Sequence, residues 1–304
     1  MASLKILYII LVNSTLWHLN MNDIFYFFEH INSQTRFFFL VGGLSLFWLL
    51  ELRIPFSKRP YSRLNHARVN ITFTLITLIL NLFGAFGILK AVDFVSVNKF
   101  GLLNMIVIPL WMYVLIGLML MDFIGAWLIH WIQHNVRWMW KFHIIHHSDQ
   151  NVDVTSGLRH HPGENIFRLS FTILAILVTG ANFGLVMIYQ TVSAFFAHFS
   201  HANIKIPIKL ENLISYVFVT PSFHRIHHHF TLPHTDSNYG NILSIWDYIF
   251  STKKDFKFSN KIRFGIDTHM DQKEISNLIN LLAIPFQPYR TPPKKDNMNS
   301  KRIF

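Results

Sequence analysis

The chain has 304 residues, of which 51% are hydrophobic and 14% charged, and its mean hydropathy is positive. That balance excludes an ordinary soluble domain and points to a membrane protein. The net charge of +11 does not imply a nucleic-acid partner, because the basic residues flank apolar runs or sit in the terminal PPKKDNMNSKRIF and form no single stripe; attraction to anionic headgroups accounts for them.

In chain order, residues 4–17 are apolar but lack a small-residue cleavage site, so they are expected to form an uncleaved anchor or interfacial helix. Apolar runs follow at 36–52, 69–89 and 102–129, each long enough for a membrane span of ~17–25 residues. The run 166–199 is split by TGAN at 179–182 and is expected to form a shallow hairpin, each leg being short for a span. The loop 53–68 holds Arg53, Lys58, Arg59, Arg63 and Arg68, against only Lys90 and Lys99 in the loop 90–101, which places the first loop in the cytosol. Counting spans from there brings the chain back to the cytosol at about His130 and again before residue 201. The expected architecture is all-α and multi-pass, with four to five helical membrane elements and a cytosolic histidine-rich helical cap. It divides into an N-terminal membrane region (1–101), a catalytic region (102–255) and a basic cytosolic tail (256–304).

Fourteen of the eighteen histidines fall between His130 and His234. HWIQH places His130 and His134 at i and i+4, one helix face; HIIHH supplies His143, His146 and His147, and HRIHH supplies His224, His227 and His228, both at i, i+3, i+4. Buried imidazoles without a metal would leave many ring nitrogens needing partners, and protonation would set like charges together. A metal resolves both problems, and imidazole suits iron, zinc and copper. His134 and His143 are nine residues apart and would point to opposite sides of one straight helix, so a break is expected at Asn135–Trp140, with Trp138 and Trp140 at the membrane interface. Cysteine is absent, which removes disulfides, thiolate sites and cysteine nucleophiles.

These motifs, together with DFIGAWLIHWIQH, KFHIIHHSD, RHHPGE, HAN, TPSFHRIHH and DSNYGNILSIWDYIFST, resemble the membrane-bound fatty acid hydroxylase / sterol desaturase superfamily over about residues 115–252. Trp131 and His229 depart from its usual pattern without removing a ligand. The resemblance implies a di-iron centre held by His130, His134, His143, His146, His147, His224, His227 and His228, with His161 and His201 completing ten; His160, His198, His229 and His234 are spares. An all-histidine shell brings no negative charge, so acids are expected to accept the outer ring N–H groups. Asp122, Glu164, Asp236 and Asn238 are the candidates, with Asp149, Asp153 and Asp247 also near in sequence. The implied activity is O2-dependent hydroxylation or desaturation of a membrane lipid.

HPGE at 161–164 is similar to a haem-binding motif of cytochrome b5, but an apolar run follows it directly. No GxGxxG follows a strand, so electrons are expected from a separate carrier, a ferredoxin or cytochrome b5-like protein with its reductase. The rival readings are a zinc-dependent membrane hydrolase, which lacks an HExxH glutamate, and a metal transporter, which would place ligands at mid-bilayer and not beyond the span ends.

Overall fold

The computed structural model describes residues 20–58, 60–255 and 262–291. The stretch 4–17, Arg59 and the tail lysines Lys294, Lys295 and Lys301 lie outside the described residues. Regular structure among the described residues is helical, with isolated bridges such as Phe218 to Leu243 in place of strands. Among the described residues, four helices are long and apolar enough to cross a membrane: Ser33–Arg53, Arg63–Asn104, Leu110–Asn135 and Phe183–His201. The chain is therefore an all-α protein with the helices of a multi-pass membrane protein.

Helix α1 (Met21–Glu29) is followed by α2 (Ser33–Arg53), whose first turn is capped by the Asn32 side chain accepting from the Thr35 N–H. Helix α3 (Arg63–Asn98) has 36 residues. At ~1.5 Å per residue it outreaches the ~30 Å hydrocarbon core, so its first turns stand in the cap. There Asn70 donates to Thr155 and His66 lies between Asp149 and Asp153. Helix α4 (Leu110–Asp122) passes through a π-helical turn, Phe123–Leu128, into α5 (Ile129–Asn135). Val136 is extended, and α6 (Arg137–His147) turns back over α5. The break expected from the angular spacing of His134 and His143 is there.

Helix α7 (Pro162–Thr179) begins with Pro at its first position and ends at Gly180, which is left-handed; α8 (Phe183–His201) is capped by Asn182. The apolar runs suggested legs of about 14 to 17 residues and a shallow hairpin; the helices are somewhat longer, and of the two only Phe183–His201 is long and apolar enough to cross a membrane. The legs have 18 and 19 residues because each continues through polar residues at its cap end, Glu164 and Asn165 in α7, Ser200 and His201 in α8. The two legs both pack on α4, while α3 rests on α7 and α2 on α8. Gly101 locks the end of α3 against the hairpin turn: with φ of 98° it sits where a Cβ would come within 2.3 Å of the Gly180 nitrogen. Phe37, Leu82, Phe83 and Phe86 are exposed on the outside of this bundle, as lipid-facing side chains would be.

The cap adds α9 (Ile208–Ile214), α10 (Pro221–His227), α11 (Ile245–Ile249), α12 (Gln272–Ile275) and α13 (Leu278–Ala283). Two expectations change here. Residues 262–291 are not a detached tail, because Ile266, Ile275, Leu281 and Ile284 form one core with Trp140, Ile144 and Ile145 of α6. Trp140 is buried in that core against His134 and His147, and only Trp138 is exposed.

Candidate metal centre

Local sequence aims the histidines before packing gathers them. Thr220 caps α10 and Pro221 occupies its first turn, so His224, His227 and His228 follow on one face. The π-helical turn Phe123–Leu128 lies directly before His130; such turns recur at functional sites and re-aim the residues that follow. The break at Val136 then folds the face carrying His143 and His147 onto the face carrying His130 and His134.

The result is two adjoining buried groups. One nitrogen from each of His130, His134, His143, His147 and His227 lies within 4.8 Å of the others, and a second such group is His146, His201, His224 and His228. In the first, the His143 Nε2 stands 3.0 Å from the His130 Nε2 and 3.2 Å from that of His147. In the second, the His201 Nε2 is 3.2, 3.0 and 3.3 Å from those of His146, His224 and His228. The groups share walls, the His147 and His228 rings stacking with centroids 4.8 Å apart.

Hydrogen bonds on the far side of the rings determine what the inner nitrogens are. The Nδ1–H of His130 donates to Tyr239 O at 2.7 Å, that of His227 to Ser237 O at 2.7 Å, that of His201 to Ala197 O at 2.8 Å, that of His134 to Asp236 at 2.9 Å and that of His143 to Glu164 at 2.9 Å. Burial, followed by the mutual repulsion of neighbouring imidazoles, holds His146, His147, His224 and His228 well below the ordinary histidine pKa, and burial lowers His143. Neutral rings protonated at Nδ1 present lone pairs at Nε2. His130 and His143 thus aim two lone pairs at each other across 3.0 Å, which is repulsive unless a cation lies between them. Nitrogens bound ~2.0–2.1 Å from one ion stand about 3 to 3.4 Å apart, so the observed spacings fit the edges of a metal coordination shell.

Nine of the ten histidines expected to bind metal are brought together. His161 is not: its Nδ1 accepts from the Gly163 N–H at 2.9 Å as the cap of α7, and its Nε2 donates to Leu282 O at 3.3 Å. The signal for a cap, histidine directly before Pro-Gly-Glu, was in the motif. His160, set aside as a spare, stacks on His146 at 4.5 Å and donates to Glu164, and with His143 and Glu164 forms a third group able to hold an ion. His198, His229 and His234 belong to none of the three groups.

Of the expected supporting residues, Glu164 and Asp236 reach histidine rings, whereas Asp122 and Asn238 do not. Asp122 accepts from the Ile242 and Leu243 N–H groups and from Trp246 Nε1. Asn238, left-handed at φ 56°, ties its loop to Phe223 and Lys254. Asp247 accepts from the Tyr239 and Gly240 N–H groups and from Trp127 Nε1. These groups hold the loop whose Ser237 and Tyr239 carbonyls orient His227 and His130. Asp149 and Asp153 pair with His66. Backbone carbonyl partners such as Tyr239 O have no signature in sequence and were missed. Asp122→Asn should therefore lower stability by about 1–3 kcal/mol, the cost of leaving buried donors poorly paired, with bound metal close to wild type. Unchanged thermal unfolding would contradict that role, and selective metal loss would return Asp122 to the outer support of the metal ligands.

Comparison with known proteins bears on the same region. Residues 114–252 match the fatty acid hydroxylase family. The chain is 30% identical to ornithine lipid hydroxylase OlsE of Rhizobium tropici over 179 residues, 59% of this chain and 51% of that protein. It is 25% identical to alkylglycerol monooxygenase of Homo sapiens over 255 residues, 79% of this chain and 51% of that protein. It is 30% identical to alkylglycerol monooxygenase of Xenopus tropicalis over 146 residues, 48% of this chain and 31% of that protein. The chain thus spans about half the length, or less, of these curated relatives, and no solved structure matches it. The matched segment, 114–252, contains all nine histidines of the two buried groups together with Glu164 and Asp236, so the similarity to the fatty acid hydroxylase family lies in the part of the chain that builds the site.

Proposed function

We propose that the chain is an O2-dependent di-iron oxidoreductase that hydroxylates a membrane lipid. The observation that carries this reading is the pair of adjoining histidine groups with inner ring nitrogens 3.0–3.3 Å apart. His130, His134, His143, His147 and His227 would hold one iron, and His146, His201, His224 and His228 the other. Bound there, two irons would supply O2 activation and C–H oxidation, balanced as RH + O2 + 2 electrons + 2 protons → ROH + water. The protein's part is to hold neutral imidazoles, fix them through Glu164, Asp236 and backbone carbonyls, and keep water out with a core in which His143 and His147 are wholly buried. Desaturation would use the same centre; the relatives' names, a hydroxylase and monooxygenases, favour hydroxylation. The basic loop at 53–68 supports a cytosol-facing cap.

No cysteine and no dinucleotide fingerprint occurs in the 304 residues, so a ferredoxin or cytochrome b5-like carrier and its reductase would deliver the electrons. In bilayers of neutral lipid, protein with NAD(P)H alone should be inert, and added carrier and reductase should yield hydroxylated lipid. If the basic loop steers an acidic carrier, the rate at limiting carrier should fall between ~0.05 and 0.5 M salt. Turnover with NAD(P)H alone would refute the separate donor. A salt-independent rate would refute the steering, against which Arg63 already counts, being paired with Glu51.

A further inference from the structure

A groove of about 590 Å3 runs between the α2–α8 and α3–α7 pairs, below the histidines. Leu78, Leu82, Ala85 and Ile88 of α3 give it an apolar length. Where it meets the cap its lining is small: Ala126 lies four residues before His130 and Ala197 four before His201, so on each helix the side chain about one turn below a clustered histidine leaves space. At the same level the groove becomes polar, with Arg168, Asn165 and Asn81.

Arg168 is placed unusually for a groove of this kind. Its Nε donates to Glu164 Oε1 at 2.8 Å, and that same oxygen accepts from His143 at 2.9 Å, so the guanidinium stands two hydrogen bonds from a clustered histidine. Glu164 is shared among Arg168, His143 and His160, and the Arg168 Nη1 and Nη2 make no hydrogen bond within the described protein. The side chain is 28% exposed, on the groove it lines. Beside it, Asn165 donates to the Asn81 carbonyl oxygen at 2.6 Å, which leaves the Asn81 amide as a further donor. A charged group at membrane depth is by default functional, and two parallel guanidinium N–H groups match a planar carboxylate.

We propose that Arg168 and Asn81 hold the carboxylate headgroup of an acidic lipid, whose chain passes Ala126 and Ala197 into the apolar length of the groove. The carbons next to the headgroup, and not the tail end, then lie beside the histidines. The oxidation position rests on the lipid-oxidising function proposed above; the headgroup site rests on the groove alone.

The test uses the full chain in nanodiscs of neutral phosphatidylcholine, titrated with 5-doxyl-stearic acid in its ionised form and with its methyl ester, the bound fraction being read from the motionally restricted EPR signal. A charge-assisted pair in a desolvated groove should favour the acid about tenfold or more. Arg168→Gln should abolish the preference, Arg168→Lys should keep part of it, and Asn81→Leu should weaken acid binding alone. Ala197→Leu, which narrows the groove, should weaken acid and ester alike. Equal binding of acid and ester by the wild type, or a preference that survives both Arg168→Gln and Asn81→Leu, would overturn the site. Among oxidised products, a hydroxyl within the first few carbons of the headgroup is expected, and one at the chain end would overturn the orientation. Acid preference without any lipid oxidation would sink the proposed function and leave the headgroup site standing.

Discussion

His146→Ala and His227→Ala should each abolish lipid oxidation and reduce bound iron, while His234→Ala and His161→Ala should do neither. His146 belongs to the group of four and His227 to the group of five, so the two substitutions strike different metal positions. Each would remove a direct ligand of the proposed centre, and the loss should exceed the ~10–100-fold typical of outer partners. His234 belongs to neither group, and His161 caps α7, so its loss should cost about 1 kcal/mol of stability and no iron. Metal analysis of the four purified variants beside their product yields makes the comparison. Iron at wild-type stoichiometry in both His146→Ala and His227→Ala would sink the assignment, and iron loss in His161→Ala would restore the ten-ligand set implied by the resemblance.

The second large effect is expected at Glu164. One oxygen of this wholly buried carboxylate accepts from His143, His160 and Arg168 at 2.8–2.9 Å. It fixes the tautomer of His143 and brings negative charge to a centre whose proposed ligands are imidazoles that carry none. Glu164→Gln keeps the shape and removes the charge, leaving Arg168 uncompensated beside the clustered histidines. Iron affinity, measured by competition with a chelator, and activity should both fall about 10–100-fold. Unchanged affinity and activity would show that the carboxylate serves only to join α7 to α6.

How much of this was legible in the sequence follows from what each feature depends on. The three histidine motifs were readable because helical periodicity alone puts i, i+3 and i+4 on one face, and the break at Val136 was readable because the angle between His134 and His143 demanded it. Glu164 and Asp236 could be named as acids near histidines. Asp122 and Asn238 were named as partners of ligand rings because linear proximity does not distinguish a side chain that touches an imidazole from one that clamps a loop, as Asp122 does at Ile242, Leu243 and the Trp246 indole and Asn238 at Phe223 and Lys254. His161 was placed with the clustered histidines for a similar reason: in RHHPGE both His160 and His161 are candidates, and only the start of α7 at Pro162 turns His161 into a cap and His160 toward His146. The groove, built from five helical segments separated in sequence, left its trace only as small residues one turn before His130 and His201.

The measurement that bears most directly on the central claim is the metal content and Mössbauer spectrum of the full chain purified from 57Fe-grown cells. Two irons per chain, with the spectrum of a coupled pair, are expected from two adjoining histidine groups. One zinc per chain without iron, or two irons that behave as isolated ions, would contradict a di-iron centre.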